Sequence, residues 1–254
     1  MQPAKKITHL LYSGLGGHGS VFFSLVKADR KKEFLTEAIF CGVEEVREDY
    51  IHQCREHGIV FQSVRKKPGL DLLSYIKIYR CFRKSGAAIL FLHGTSFILP
   101  AIFYKLFHRR KKIIVRETQA HHLKSRMEWI WLKLAVRFSD HLVFLTGESL
   151  QGVYQKTSAR RLQKKAHIIP NGLDTELYRP VVKRDISGKV VLGMQSRLQT
   201  IKDHPTLLRA FALLRNQFSG KTLTLRIAGD GETMSALQQL AVATGIEKQV
   251  EFCG

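Results

Sequence analysis

Short apolar runs alternate with amphipathic stretches along nearly the whole chain. The runs Ile7–Tyr12 and Leu35–Cys41 lie early in it, and Val190–Met194 and Leu223–Ala228 lie late. Each run has the length of a strand, and apolar residues between the runs recur at helical spacing. Strands that alternate with helices are typical of βα units around a parallel sheet. The pattern therefore predicts an α/β protein.

A polar, turn-rich segment divides these elements into two groups. The predicted strands before it are residues 7–12, 35–41, 59–64, 87–92, 113–116, 141–145 and 166–169, and those after it are 190–194, 223–228 and 250–253. The predicted helices include 47–57, 70–84, 126–138, 206–218 and 233–244. We predict a Rossmann-like N-terminal domain over 1–173, a linker over 174–188 and a second domain over 189–254.

The predicted second domain is short. Its three strands and two helices leave an open sheet edge and an unfinished core, which is an uncommon place for a natural domain to end. We therefore expect these 254 residues to be either a fragment of a longer protein or a shortened gene product.

Composition adds one strong signal, which is charge. With 44% hydrophobic and 24% charged residues, the chain is typical of soluble globular proteins. Its 41 Lys and Arg against 21 Asp and Glu give a net charge of +20, which predicts an anionic partner. The four cysteines are dispersed without a Cys-x-x-Cys pair, which favours neither a zinc site nor a disulfide framework and indicates a reducing cytoplasm.

One uncharged stretch, residues 87–104, approaches the length of a membrane span. Gly94 and Pro100 interrupt it. Its first part, AAILFLHG, has the pattern of a buried parallel strand, and TSFILPAIFYKLF has the pattern of a helix that follows. We therefore predict a strand and a helix of a soluble domain at this place.

The loop SGLGGHGS after the first apolar run contains Gly14-x-Gly16-x-x-Gly19, the glycine spacing of dinucleotide-binding folds. Such a fold also needs an acidic residue at the end of the second strand, whereas Glu44 and Glu45 lie beyond that strand. Three interpretations stay open on the residues alone: a dinucleotide cofactor site, a plain strand-to-helix turn, or another loop that faces phosphates.

Three later segments resemble, in order and spacing, the core of glycosyltransferase family 4. They are HIIPNGLDTELYRP (His167–Pro180), VLGMQSRLQTIKDHPTLLRAFALL (Val191–Leu214) and LTLRIAGDGETMSALQQLAVATGIEKQVEFCG (Leu223–Gly254). The resemblance implies a GT-B fold, in which two Rossmann-like domains face each other, and a retaining transfer from a nucleotide-sugar donor. It also implies that Gly16 and Gly17 lie near the donor diphosphate and the acceptor.

Transfer from a nucleotide diphosphate develops negative charge on the leaving phosphate, which preorganised cations can stabilise. The stretch QSRLQTIKD places Arg197 and Lys202 between a predicted strand and the helix from His204. By resemblance these two residues match the Arg and Lys with which the family clamps the diphosphate. They can replace a metal, so we expect no metal and no cofactor besides the nucleotide-sugar substrate. The alternative is a pair of solvated loop cations.

On the acceptor side, many members of the family have a histidine just after the strand that here ends IIVRET. This chain has Glu117 and Thr118 there, and His121 and His122 follow. His93 ends the strand AILFLH, at an edge where ligands commonly bind. Each of the three histidines is a candidate for the acceptor side, and a structural role explains each equally well.

Basic residues interleaved with aromatic ones suit an anionic bilayer surface. The clearest run is KLFHRRKK, and the cations proposed as a membrane patch are Lys105, Arg109, Arg110, Lys111 and Lys112. By resemblance to family members that glycosylate lipid-linked acceptors or lipopolysaccharide cores, we expect a peripheral protein on the cytoplasmic leaflet that takes part in cell-envelope glycan synthesis. A solvated basic face is the alternative. No nucleic-acid-binding motif is present, so no nucleic-acid partner is expected.

The family carries, further along, a pair of glutamates that contact the donor sugar and the ribose, and nothing here matches that pair. We therefore expect the 254-residue chain by itself to transfer sugar poorly or not at all. Two other classes of function stay open: a non-catalytic relative that only binds anions or membranes, and a dinucleotide-dependent oxidoreductase.

Overall fold

The computed structural model describes residues 4–157, 159–172, 174–176, 178–179, 188–217 and 222–254. The chain divides into two compact units, Met1–Tyr178 and Arg179–Gly254. Each unit has its own parallel sheet and its own helices, which confirms the predicted α/β class. Most of the predicted linker over 174–188 lies outside the described residues, so the proposed domain boundaries stay a prediction.

The larger unit contains a seven-stranded sheet in which all neighbouring strands are parallel. Its strands are β1 (Lys5–Tyr12), β2 (Phe34–Gly42), β3 (Val60–Arg65), β4 (Ile89–His93), β5 (Lys112–Glu117), β6 (His141–Phe144) and β7 (Ala166–Ile168). Their order is β3-β2-β1-β4-β5-β6-β7. The chain winds outward in both directions from β1 and β4, and such a switch point opens a crevice at the carboxyl ends of the strands.

Seven helices connect these strands among the described residues. They are α1 (Gly17–Ala28), α2 (Glu48–Glu56), α3 (Leu72–Ser85), α4 (Ile98–Phe107), α5 (Arg126–Phe138), α6 (Gly147–Lys156) and α7 (Ala159–Gln163). Side chains fix where two of them begin: Asp71 caps α3, and Ser125 with Glu128 forms a capping box on α5. Gly86 ends α3 in the left-handed conformation that favours glycine.

The sheet is buried on both faces. On one face Phe22 of α1 and Tyr50 of α2 pack against Phe40 of β2. On the other face, α3 to α7 bury a larger core that includes Phe82 and Tyr104. Double burial explains why the strands appear in the sequence as continuous apolar runs. Residues 87–104 contain β4 and most of α4, and no helix in the part of the chain that the structure describes is long and apolar enough to cross a membrane.

The smaller unit has a three-stranded parallel sheet in the order β10-β9-β8. Its strands are β8 (Lys189–Gln195), β9 (Thr222–Ala228) and β10 (Val250–Phe252), and its helices are α8 (His204–Gln217) and α9 (Met234–Ala243). Leu208 and Phe211 of α8 and Leu237 of α9 bury against Leu225 and Ile227 of β9. The smaller unit thus has its own core, and the larger unit has the other two.

Two glycines after β9 lie directly against the backbone of the loop after β8. A Cβ on Gly229 would lie 1.9 Å from the carbonyl oxygen of Ser196, and one on Gly231 would lie 2.3 Å from that of Leu198. Gly229 also has φ +138°, a conformation that other residues rarely adopt. Only glycine therefore allows the two loops to approach this closely.

We expect Gly229→Ala to lower the free energy of unfolding of the smaller unit by about 3 kcal/mol, because it adds both backbone strain and a backbone clash. Native-state hydrogen exchange of the β9 amides measures this. The matched control is Gly193→Ala in β8, where a Cβ meets nothing within 4 Å. Equal protection of β9 in the two variants would contradict the expected effect.

Candidate functional site

A cavity of about 810 Å³ opens at the carboxyl edge of the larger sheet, where β1 and β4 diverge. We call it the edge cavity. Its polar wall includes His18, His93, Glu117 and Thr118, and its apolar and aromatic wall includes Leu70, Tyr75, Phe97, Met127 and Trp131. It lies entirely within the larger unit. Polar groups beside aromatic rings are the usual lining of a small-molecule site.

One wall residue of the edge cavity, His93, belongs to a buried histidine pair. His93 at the end of β4 is only 5% exposed, and its Nε2 lies 3.0 Å from Nδ1 of His9 in β1. Its other nitrogen, Nδ1, is buried without a partner among the described residues. Burial lowers the pKa of His9 to about 3 and that of His93 well below its usual value. Both imidazoles are therefore neutral at physiological pH.

His18 is a wall residue that sequence reasoning did not select. It lies in the first turn of α1, directly after Gly16 and Gly17, and its Nε2 lies 3.3 Å from the Thr118 hydroxyl oxygen. Burial and the Arg116 charge lower its pKa, while Glu117 raises it. The sequence did contain a signal for His18, because this residue belongs to the glycine loop that the resemblance places beside the substrates.

Glu117, which with Thr118 stands where many family members have a histidine, is held by a buried ion pair. Lys124 Nζ donates to its Oε1 at 2.8 Å, and the two side chains are 1% and 4% exposed, respectively. The backbone N–H of Gln119 donates to the same oxygen. Glu117 Oε2 is buried and has no partner among the residues described. The carboxylate is thus fixed in place while one oxygen can still accept a hydrogen bond.

Arg116, the neighbour of Glu117, joins β5 to the turn PNG. Its guanidinium donates to the side-chain oxygen of Asn171. Burial lowers the pKa of Arg116, and its Nη1 has no partner in the described part of the chain. Asn171 therefore has a structural role, since it ties the segment after β7 back to the sheet.

The structure distinguishes two of the three predicted acceptor-side histidines, His93 and His121. His93 lines the edge cavity. His121 instead stacks on Trp129, with ring centroids 5.7 Å apart, and packs so closely on Gly152 that a Cβ there would lie 2.3 Å from its Cδ2. The side chain of His122 lies outside what the structure describes. A packing role accounts for His121, and the cavity contains His93 and His18.

The glycines of the first loop divide by their surroundings. A Cβ on Gly14 would lie 1.9 Å from Glu44 Oε2, and one on Gly19 would lie 2.2 Å from Tyr50 Cζ, so packing explains both. Gly17 has open space in front of it, and Gly16 meets only the edge of a tyrosine ring at 3.9 Å. The two glycines proposed to face phosphates are thus the two that are sterically open.

In the smaller unit, Arg197 and Lys202 lie on one loop, residues 196–203, between β8 and α8. Both side chains are exposed, and neither makes a hydrogen bond or an ion pair with any residue that the structure describes. Unpaired cations on a loop that precedes a helix can bind phosphate oxygens. Within the described ranges no group of three or more His, Cys, Asp or Glu could hold a metal ion, and a metal-free reaction stays a prediction.

The proposed membrane patch lies at the amino edge of the sheet, opposite the edge cavity. Lys105 and Lys112 both bind Asp140. Arg109 and Arg110 are exposed, whereas Lys111 is half-buried and its Nζ donates to the carbonyl oxygen of Gly86 at 2.6 Å. Large apolar side chains of α4 are exposed beside them: Phe103, Leu106 and Phe107. Cations beside exposed apolar side chains suit a membrane surface, although the pairing with Asp140 reduces the net charge there.

Two family models match consecutive parts of the chain. Residues 15–177, more than half of it, match Glycosyltransferase Family 4, and residues 180–254 match Glycosyl transferases group 1. The chain belongs to glycosyltransferase family 4. The family predicted from the three C-terminal segments is therefore confirmed.

Two solved structures illustrate the fold that this family 4 chain shares with other proteins. The Anabaena HepE structure with UDP has a TM-score of 0.74 at 20% identity, over 98% of this chain and 69% of that one. The lipopolysaccharide outer core galactosyltransferase WaaB has a TM-score of 0.66 at 16% identity, over 98% and 68%. At these identities the likeness shows the fold alone, and it confirms the predicted GT-B class.

One curated relative matches a smaller part of the family 4 chain. This is the "Putative glycosyltransferase EpsF" of Bacillus subtilis (strain 168), which is 26% identical over 101 residues. The match covers 36% of this chain and 26% of EpsF. The chain thus spans about a quarter of the length of that relative.

The neutral state of His9 predicts how the stability of the larger unit depends on pH. Unfolded His9 takes up a proton near pH 6.5, whereas folded His9 does so only near pH 3, so the unfolded state binds more protons between these values. We therefore expect the free energy of unfolding to fall as the pH drops from 7 to 4. Both tryptophans lie in the larger unit, so urea unfolding followed by tryptophan fluorescence measures it.

His9→Asn keeps a hydrogen-bonding group near the Nδ1 position and removes the titration. The slope of its free energy of unfolding against pH should correspond to about one proton fewer than in the parent. The matched control is His52→Asn, since His52 is exposed on α2. Parallel slopes for parent and His9→Asn would show that the buried pair does not cause the pH dependence.

Proposed function

We propose that this chain takes part in glycosyl transfer from a nucleotide-sugar donor to a hydroxyl-bearing acceptor, with retention of configuration. The observation that carries the proposal is the pair of unpaired cations, Arg197 and Lys202, on the β8–α8 loop of a family 4 chain. The edge cavity supports the part of the proposal that concerns acceptor binding. Because the chain spans only part of EpsF, the activity of the whole protein belongs to this proposal.

On the donor side, Arg197 and Lys202 stabilise the leaving diphosphate. When the bond between the sugar C1 and the phosphate oxygen breaks, the electron pair goes to that oxygen, and fixed positive charge lowers the energy of this state. Arginine can bind two phosphate oxygens with its planar fork, and lysine contributes a compact charge. This arrangement needs no metal and no further cofactor.

On the acceptor side, the edge cavity binds and orients hydroxyl groups. Neutral His18 and the free oxygen of Glu117 can accept hydrogen bonds from them. The aromatic rings of Tyr75 and Trp131 offer flat surfaces for the apolar face of a sugar ring. These groups favour a glycan or a lipid-linked sugar as the acceptor.

The named neighbours indicate the chemical setting of the proposal. A second HepE structure contains both UDP and glucose, and it matches with a TM-score of 0.76 at 19% identity, over 98% of this chain and 69% of that one. WaaB is named for the lipopolysaccharide outer core. We propose by analogy a UDP-sugar donor and a role in cell-envelope glycan synthesis, without a nucleic-acid partner.

We also propose a peripheral location on the cytoplasmic leaflet, where lipid-linked acceptors are found. The exposed Arg109 and Arg110 beside Phe107 of α4 support it, because cations attract anionic headgroups while apolar side chains enter the interface.

Exchange of the two cations on the β8–α8 loop, residues 196–203, which we call the phosphate loop, tests the donor site. We expect Arg197→Lys and Lys202→Arg each to weaken UDP binding at least about fivefold, because a fork and a point charge do not replace each other. Isothermal titration with UDP measures the dissociation constants. The matched controls are Arg209→Lys on α8 and Lys248→Arg before β10, which should bind UDP like the parent.

Three outcomes would argue against the proposed donor site or for one of the two alternative functions. Parent-like binding by both loop variants would place the diphosphate elsewhere. Salt-sensitive binding of anionic vesicles without any response to UDP would indicate a non-catalytic binding module. Bound nicotinamide or flavin in the purified protein would favour an oxidoreductase.

Charge removal tests the membrane patch. We expect a variant with Gln at 109, 110, 111 and 112 to bind vesicles of anionic lipid at least tenfold more weakly at low salt, since each cation contributes about 1 kcal/mol. Vesicle co-sedimentation measures this. The matched control carries Gln at Lys27, Arg30, Lys31 and Lys32, which lie around the end of α1. Equal losses in both variants would indicate attraction by net charge alone.

A further inference from the structure

The loop that carries Arg197 and Lys202 is held rigidly by the segment after β9. Ser196 N–H donates to Ala228 O at 3.0 Å, and Leu198 N–H donates to Asp230 O at 2.9 Å. Thr233 N–H donates back to Leu198 O at 3.2 Å. With the two glycines that permit this contact, these bonds fix the backbone on both sides of Arg197. The exposed cation therefore projects from a preorganised base.

One side-chain contact joins the two ends of this loop. His204, the first residue of α8, is fully buried, and its Nε2 lies 2.9 Å from Oγ of Ser196, the first residue after β8. Ser196 precedes Arg197, and His204 follows Lys202 by two positions. The contact therefore spans the segment that presents both cations.

The second ring nitrogen of His204 indicates which partner donates in this bond. Nδ1 is buried and has no hydrogen-bond partner among the described residues. A neutral imidazole carries one proton, and a buried N–H without an acceptor costs more free energy than a buried lone pair without a donor. The proton therefore belongs on Nε2, and His204 donates to Ser196 Oγ.

This assignment leaves the hydroxyl proton of Ser196 without an acceptor. Ser196 is partly exposed, and no acceptor in the described ranges takes its proton. A phosphate oxygen accepts hydrogen bonds and never donates when ionised, so it complements this hydroxyl as it complements the neighbouring cation.

We infer that Ser196 is a third donor-binding residue of the phosphate loop, which donates its hydroxyl to a phosphate oxygen, and that His204 is a positioning residue that holds this hydroxyl. The inference rests on the proposed function, since it needs a diphosphate at Arg197. It adds a hydrogen bond from an uncharged donor to the two charge contacts, and it gives the buried His204 a role in donor binding rather than in packing alone.

Ser196→Ala tests the binding role. We expect it to weaken UDP binding about tenfold, as for a hydrogen bond to a charged group, and to leave the weak binding of uridine unchanged. Isothermal titration with UDP, uridine and inorganic pyrophosphate measures this. The matched control is Thr200→Ala, which removes an exposed hydroxyl from the same loop and should bind UDP like the parent.

The outcomes separate this inference from the proposed function. If neither the parent nor any variant binds UDP or pyrophosphate, the proposed donor site fails. If Arg197→Lys weakens UDP binding while Ser196→Ala binds like the parent, only the role of Ser196 is overturned. Equal weakening by Ser196→Ala and Thr200→Ala also overturns it, since the effect would then be general to the loop.

Two experiments test the positioning role of His204: a double-mutant cycle, and an NMR measurement of its protonation in the parent. His204→Asn and Ser196→Ala should each weaken UDP binding, and the double variant should lose no more than the larger single effect, because both remove one contact. Nitrogen-15 NMR of the parent should show His204 protonated on Nε2. Protonation on Nδ1 would overturn the inference even if His204→Asn does not fold.

Discussion

The parallel pairing of β1 with β4 organises the sheet of the larger unit. Ile7 to Leu10 lie in register with Ile89 to Leu92, and the remaining strands add outward on both sides. Helices cover both faces, so polar side chains in this region are confined to the ends of the strands or must satisfy one another inside. The crevice at the carboxyl ends and the buried His9–His93 pair both follow from this constraint.

The sequence predicted most of the fold because its signals were local. Helix α5 begins and ends where its pattern indicated, and Ser125 with Glu128 caps its start. The start of α8 shows the limit of such signals. Its predicted range of 206–218 begins two residues after the helix itself, which starts at His204, and the contact of this buried residue with Ser196 is not visible in the periodicity.

The candidate site was predicted less completely, for a physical reason. His18 and Thr118 are one hundred positions apart in the chain, and His9 meets His93 across two strands. Such contacts depend on the order of strands in the sheet, which hydrophobic patterning does not specify. His121 shows the opposite error. Its position near the expected family histidine made it a candidate for the acceptor side, but its packing on Trp129 and Gly152 explains it as a structural residue.

The two proposed binding surfaces, the edge cavity and the phosphate loop, differ in how much unbalanced charge they carry. The edge cavity contains uncharged imidazoles, aromatic rings and a carboxylate already neutralised by Lys124, so ligand recognition there depends mainly on shape and hydrogen bonds. The phosphate loop attracts its ligand through exposed charge, which dissolved ions screen over about 10 Å. Ionic strength should therefore act as a selective control, able to weaken capture of the donor while leaving the fit of the acceptor almost unaffected.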